Sequence, residues 1–369
     1  DPMWVESPTP YGPLFLVIER AVSNFTHPNA YFGAVLFRLV AVAGVALMAY
    51  YVPRLARLHG VDPARALWLG VLNPVVLMHF VAGAHNDALM VGLVVTGLAL
   101  AAERHCSWGA VAITLASTIK PIALLALPFS GLLWAGRDAT WLRRIRAWLL
   151  TGVVMICTLA SVFLIADAGT GVIKATFGTP SGVLTWLSPT TAIGKPLGIV
   201  STWIGWTDDP ATVLGIVRLI GIAAALALIA LLVFRPGGRS PVRGAALALG
   251  VIVVLGPVVQ PWYLLWFLPL FAATGLSVRE MRIAVILTAA FTVHGMIESS
   301  TNADNLTDIA DSLTFLVSIV VVVLILLASP GERRLVLGPS DTAGLTPLTD
   351  EERARAAAMR WPTDDRIPA

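Results

Sequence analysis

Charge is scarce in this chain. Asp, Glu, Lys and Arg make up 13% of its 369 residues against 57% apolar ones, and the mean hydropathy is +0.81. That is too little polar surface to cover a soluble globule, so lipid is the expected solvent for most of it. Cysteine is nearly absent: Cys106 and Cys157 sit on different segments with no paired spacing, so neither a disulfide nor a Cys-based metal site is expected. A GxxxxGKS/T phosphate loop, a placed GxGxxG, HExxH and GxSxG are all missing, which removes the residues for nucleotide-driven pumping and metallohydrolase chemistry. No cofactor and no metal are therefore expected. Asp1 to Pro13 lacks the basic start of a signal peptide, and no internal repeat is visible.

Long apolar runs fill the space. A bilayer core about 30 Å thick needs roughly 20 apolar residues per helix. Runs punctuated by Gly, Pro and charge predict eleven helices, at 31–53, 66–84, 88–103, 107–119, 121–135, 146–166, 211–234, 243–258, 262–275, 280–297 and 312–329. Several fall short of 20 residues, so some spans are expected to be tilted, broken or re-entrant, with protein or water satisfying the backbone. The reading is an all-α polytopic integral membrane protein in three parts. Residues 1–30 form an outer loop with an amphipathic segment, 31–329 the transmembrane domain with an outer loop at 168–210, and 330–369 a mostly disordered cytoplasmic tail. A short helix is expected in that tail, where Thr349 and Glu352 make a capping box.

Arginine sets the orientation. Alternate connections carry Arg54, Arg57 and Arg65, then Arg104, then Arg137, Arg143, Arg144 and Arg146, and later Arg235, Arg239, Arg243, Arg279, Arg282, Arg333 and Arg334. The opposite connections hold chiefly Arg20, Lys120, Lys174 and Lys195, and are placed outside by the positive-inside rule. Topology thus accounts for the net charge of +3 without a nucleic-acid partner. The expected location is the plasma membrane, with function on the extracytoplasmic face at residues 1–30, His85–Asp87, 168–210, Gln260–Tyr263 and 298–311.

Ionisable groups at membrane depth are costly, and each is weighed as a functional residue against a structural role. Lys120, where Pro121 breaks STIKPIALLALP, presents an ammonium to a lipid phosphate or snorkels to the interface. Arg218, two turns into its helix, binds phosphate oxygens as a fork or pairs with another helix. Arg38 does the same or pairs with Glu19. His85, Asn86 and Asp87 hydrogen-bond sugar hydroxyls or tune a proton transfer, or else Asn86 or Asp87 caps the helix beginning at Ala88. His79, seven residues before Asn86, falls on the same helical face and reads as a packed core histidine. The twelve tryptophans are many, and Trp186, Trp203, Trp206, Trp262 and Trp266 stack on sugars or anchor the interface. The string QPWYLLW joins an amide, a helix-breaking proline and aromatics, and points to a lined cavity.

Three strings in order, WVESPTPYGPLFL at 4–16, LNPVVLMHFVAGAHNDALMVGL at 72–93 and PVVQPWYLLWFLPL at 257–270, resemble the actinobacterial polyprenol-phosphate-mannose-dependent α-1,6-mannosyltransferases. The resemblance runs from Trp4 to about Ser329. It implies a GT-C-like helical bundle, a polyprenyl-phosphate-mannose donor, a mannan or lipomannan acceptor and an inverting transfer at the outer face. The same pattern places a catalytic Asp or Glu in the first outer loop after a first transmembrane helix, and the chain is expected to begin beyond both, so no catalytic base is assigned from Asp1 onward. Within this reading Lys120, Arg218 and Arg38 are the candidates for donor phosphate, and His85, Asn86, Asp87, Gln260, Trp262 and Tyr263 for the sugars, with Tyr11 in the PYGP turn at the entrance. The rival readings are a lipid or sugar transporter or flippase, which also uses broken helices, and a non-catalytic membrane subunit.

Overall fold

The computed structural model describes residues 9, 11–169, 171–172, 185–300, 320, 323 and 327. Proline directly after a short capping residue starts several of its helices. Pro63 follows Asp62, whose carboxylate accepts from Ala64 N–H at 2.9 Å. Pro210 follows Asp209, which accepts from Ala211 N–H at 2.9 Å, and Pro189 follows Ser188, which accepts from Thr191 N–H at 3.3 Å. Proline fixes φ and has no N–H to orphan, while the cap satisfies the next free donor.

The described residues are helical and contain no strand. The α-helices in order are α1 (Pro13–Thr26), α2 (Ala30–Leu58), α3 (Pro63–Gly70), α4 (Asp87–Ala102), α5 (Cys106–Ser117), α6 (Leu127–Ala135), α7 (Trp141–Ala166), α8 (Pro189–Trp203), α9 (Pro210–Phe234), α10 (Pro241–Leu255), α11 (Leu268–Thr274) and α12 (Val278–Ser300). A π-helical turn, Val76–Ala82, precedes α4, and 3-10 turns at Pro121–Ala126 and Pro261–Trp266 precede α6 and α11. Among the described residues three helices, α2, α7 and α9, are long and apolar enough to cross a membrane alone, and the π-turn with α4, bent by 110°, is a fourth candidate as a broken span or a re-entrant loop. The 312–329 run is described at three positions only. The tail with its Thr349 capping box and the segment 301–311 lie outside the described residues.

Three runs that read as single helices are broken, each at a proline. The run 66–84 divides at Asn73–Pro74, where Asn73 Nδ2 donates to Leu69 C=O at 2.8 Å and Asn73 Oδ1 accepts from Val76 N–H at 3.2 Å. The runs 121–135 and 262–275 share one build: an extended residue (Lys120, Gln260), a proline-led 3-10 turn, a short helix, and a glycine at positive φ, Gly136 at 89° and Gly275 at 83°. The build thus occurs twice, and the two segments share its residues: KPIALLALP at 120–128 and QPWYLLWFLP at 260–269 both have a proline after the extended residue, a Leu-Leu pair in the turn and a Leu-Pro step into the short helix.

The Asn73–Pro74 break is met by the Asn73 side chain itself, whereas the two proline-led 3-10 breaks, whose backbone groups lipid cannot satisfy, are each met by a segment from elsewhere in the chain. At the first, Gly12 N–H donates to Ile119 C=O at 3.0 Å and Leu14 N–H to Thr118 C=O at 3.1 Å. A Cβ at Gly12 would strike the Thr118 backbone, so only glycine fits this strap. At the second, the Ser188 and Thr190 hydroxyls donate to Gly256 C=O at 2.8 and 2.9 Å, and Thr191 donates to Pro257 C=O at 2.9 Å. The stretch 168–210, read as loop, therefore contains α8, whose hydroxyls do this work.

The arginine-rich connections meet at one end of the bundle. Arg54 pairs with Glu103 at 2.8 Å, His59 Nε2 lies 2.7 Å from Ser240 Oγ, Arg104 donates to Leu133 C=O at 3.0 Å and Arg243 pairs with Glu280. The strap and the α8 hydroxyls belong to the other end.

Small residues let helices touch by backbone: a Cβ on Gly44 of α2 would strike Ala88 of α4, and one on Gly92 would meet the Gly44 backbone. Gly44→Leu is expected to lower stability by about 1–3 kcal/mol or more through overpacking. Gly152→Leu on α7, where a Cβ meets nothing within 4 Å, should leave the thermal midpoint in detergent unchanged.

Candidate active site

Asp87 is fully buried at the first residue of α4. Its Oδ2 accepts from Lys120 Nζ at 2.6 Å and its Oδ1 from Trp266 Nε1 at 2.7 Å. The three residues come from three irregular stretches: the bend before α4, the extended residue before Pro121, and the second 3-10 turn. The sequence reading that Asn86 or Asp87 caps α4 is corrected, since Asn86 occupies the N-cap without a side-chain cap bond and the Asp87 carboxylate is engaged by the other two breaks.

Rings wall this ion pair. Tyr263 stacks on Trp266 with centroids 3.8 Å apart, and Lys120 Nζ lies 6.0 Å from the Trp266 and Tyr11 ring centroids. Tyr11 is held edge-on to Phe15 at 5.1 Å by the strap that completes the first break. Burial, with the Asp87 and Glu19 carboxylates adding to it, pushes the Tyr11 phenol above its ordinary value, so it remains a neutral hydrogen-bond donor.

Beside this core His85 stacks on Trp262 at 4.1 Å and 25°, and His79 lies 5.4 Å from Trp262 and 6.2 Å from His85, centroid to centroid. The turn carrying His85 is strained at Ala84, a non-glycine at φ 50°. Asn86 Nδ2, Trp262 Nε1 and His79 Nε2 are buried without a hydrogen-bond partner among the described residues. Buried polar groups left so cost about 1–3 kcal/mol each, and a polar ligand with several hydroxyls satisfies such groups. His79 and Asn86 do not share a helix face: the bend at Gly83–His85 separates them, and it is this bend that brings His79 against His85.

Of the residues proposed from sequence, Tyr11, His85, Asn86, Asp87, Lys120, Trp262 and Tyr263 converge here. Gln260 opens the second 3-10 turn, and its carbonyl accepts from Tyr263 N–H at 2.9 Å. Arg218 belongs to a different network: its Nε and Nη2 donate to Thr191 Oγ1 at 3.2 and 2.9 Å, beside the second break. Arg38 is exposed and donates to Ala82 C=O at 3.4 Å, in place of the expected pairing with Glu19. Trp266, read as an interfacial or sugar-stacking ring, is buried and binds Asp87 instead, whereas Trp186, Trp203 and Trp206 are exposed.

The apolar helices make this a membrane protein, all-helical among the described residues, and the site joins a half-buried cation on a buried carboxylate to aromatic and hydrogen-bonding side chains. The profile described as "Alpha-(1->6)-mannopyranosyltransferase, N-terminal domain" matches residues 1–136, and that of the MptB C-terminal domain matches residues 190–329. A probable α-(1→6)-mannopyranosyltransferase of Mycolicibacterium smegmatis is 35% identical over 98% of this chain and 68% of its own length. An α-(1→6)-mannopyranosyltransferase of Mycobacterium tuberculosis is 34% identical over 94% and 68%, and α-(1→6)-mannopyranosyltransferase B of Corynebacterium glutamicum 30% identical over 72% and 47%. The chain belongs to this α-(1→6)-mannopyranosyltransferase family of glycosyltransferases. No solved structure matches it.

Breaking a buried ion pair by removing one partner costs about 3–5 kcal/mol, whereas removing both charges together is much milder. Lys120→Met and Asp87→Asn are each expected to lower the thermal midpoint sharply, and the double variant by less than either sum. Additive losses in this cycle would show that the pair is not coupled.

Proposed function

We propose that this chain transfers mannose from a polyprenyl-phosphate donor to a mannan or lipomannan acceptor at the extracytoplasmic face, forming α-1,6 links by inverting displacement. The observation that carries the reading is Lys120. It is a half-buried cation in a ring-walled site, with one of its three N–H donors on the fully buried Asp87 and no other hydrogen bond among the described residues. The other two N–H groups are free for phosphate oxygens. Family membership and the collection of the arginine-rich connections at the opposite end of the bundle support the same reading.

In this mechanism an acceptor hydroxyl oxygen attacks the anomeric carbon, the bond from that carbon to the phosphate oxygen breaks, and the hydroxyl proton passes to a carboxylate base. No residue from Asp1 onward is assigned as that base. Charge develops on the departing phosphate, and a preorganised cation there is worth several kcal/mol. Asp87 and Trp266 position Lys120, so Asp87 serves the cation rather than the sugar. Trp262 and His85 offer a ring surface to a sugar face, and Asn86 and Trp262 supply N–H groups to its hydroxyls. Gln260 and Tyr263 complete that wall, and Tyr11 stands over the lysine at the entrance. Arg218 and Arg38 keep only a supporting claim on the phosphate, since each already donates to a protein oxygen.

The test is transfer from labelled polyprenyl-phosphate-mannose to a short α-1,6-mannoside, using membranes that carry the protein as its gene encodes it. Because Lys120→Ala would leave Asp87 as a lone buried charge, the informative variant is Asp87→Asn with Lys120→Met. Folded yield should stay near wild type while turnover falls on the order of a hundredfold or more. Undiminished turnover in that variant would remove Lys120 from the site. Trp262→Leu is expected to raise KM roughly threefold to tenfold with a smaller change in kcat, as loss of a stacked ring predicts.

A further inference from the structure

None of the residues assigned to the sugar wall comes from α12, yet α12 packs against it. Gly295 lies on the imidazole of His79: a Cβ there would come 2.7 Å from Nε2 and 2.9 Å from Cε1. The same ring lies against the Phe291 backbone, one turn earlier on α12. His79 is only 6% exposed, so its ring is enclosed, with α12, Trp262 and His85 all among its neighbours. Its carbonyl oxygen accepts from His85 N–H at 3.4 Å, and a Cβ on Gly83 would strike that oxygen at 2.7 Å. Through its ring and its backbone, His79 therefore meets both members of the stacked pair, Trp262 and His85.

No hydrogen bond fixes that pair. Trp262 Nε1 has no partner, and no side-chain hydrogen bond holds the His85 ring among the described residues. Two stacked rings without hydrogen bonds take their place from the groups packed around them, and a close-packed interior passes a displacement on. We infer that His79 is a positioning residue for sugar binding, held in place by α12 at Gly295: it sets where the Trp262 and His85 rings stand to meet a sugar face. This role presupposes that Trp262 and His85 bind sugar, and it brings α12 into the site. Glycine weakens a helix interior relative to alanine. At 295 its lack of a side chain is what lets α12 close on the imidazole.

The test is the transfer assay in membranes that carry the protein as its gene encodes it, with Trp262→Leu as the reference and folded yield measured for each variant. Gly295→Ala adds only a methyl, and the buried imidazole has to shift to admit it. It should raise the same KM that Trp262→Leu raises, roughly threefold to tenfold, with a smaller change in kcat. His79→Asn, which shortens the side chain and creates no overlap, should raise that KM to a similar degree, and it carries the test should Gly295→Ala lower the folded yield. Because Gly295 acts through the imidazole, Gly295→Ala added to His79→Asn should bring no further loss, whereas two independent effects would multiply. A wild-type KM in His79→Asn would overturn the inference, as would multiplied losses in the double variant or a fall in kcat alone. A wild-type KM in Trp262→Leu would strike the sugar wall itself and the role of His79 with it; a raised KM there beside an unchanged one in His79→Asn strikes the positioning alone.

Discussion

The contact between Lys120 and Asp87 is the constraint around which this end of the molecule is arranged. A carboxylate with no solvent exposure is tolerable in an apolar bundle only when it is paired and hydrogen-bonded. Its partners come from two separate broken spans, Lys120 from one and Trp266 from the other. The charge pair therefore fixes the bend before α4 against both breaks, and with them the positions of Tyr11, Tyr263, Trp262 and His85. A strong local interaction of this kind holds three irregular stretches of backbone in one place, where packing of small residues alone would leave them free to slide.

The breaks themselves exist because proline cannot continue a helix and lipid cannot replace the hydrogen bonds it removes. The chain answers each of the two 3-10 breaks with a segment from elsewhere in the chain: the Gly12–Leu14 strap at Thr118 and Ile119, and the Ser188, Thr190 and Thr191 hydroxyls at Gly256 and Pro257. This gives those segments a structural duty beyond covering the bundle. It also explains why Arg218, attractive from sequence as a phosphate ligand, is found on Thr191: it steadies the group that completes the second break.

Polarity is divided between the two ends. One end collects arginines in ion pairs such as Arg54–Glu103 and Arg243–Glu280. The other holds a single well-positioned lysine among aromatic rings.

Much of this was legible in the residues. Tyr11, His85, Asn86, Asp87, Lys120, Trp262 and Tyr263 were picked out because polar and aromatic groups beside prolines at the ends of apolar runs have few structural reasons to be there, and the fold brings them together. His79 is the packed histidine its place in an apolar run suggests, whereas the bond from Trp266 to Asp87 is invisible in sequence, since a tryptophan inside an apolar run looks like packing until its neighbour is known. The pairing of Arg38 with Glu19 failed because proximity in sequence does not fix where a long side chain finds an acceptor. Composition and proline spacing determined that the chain is a bundle of broken helices in lipid, because solvation and backbone hydrogen bonding depend on residue type and local order alone. Only the tertiary structure decided that Asp87 belongs to Lys120 and Trp266, because residues 33 and 179 positions apart meet through the geometry of three bends that no local pattern encodes.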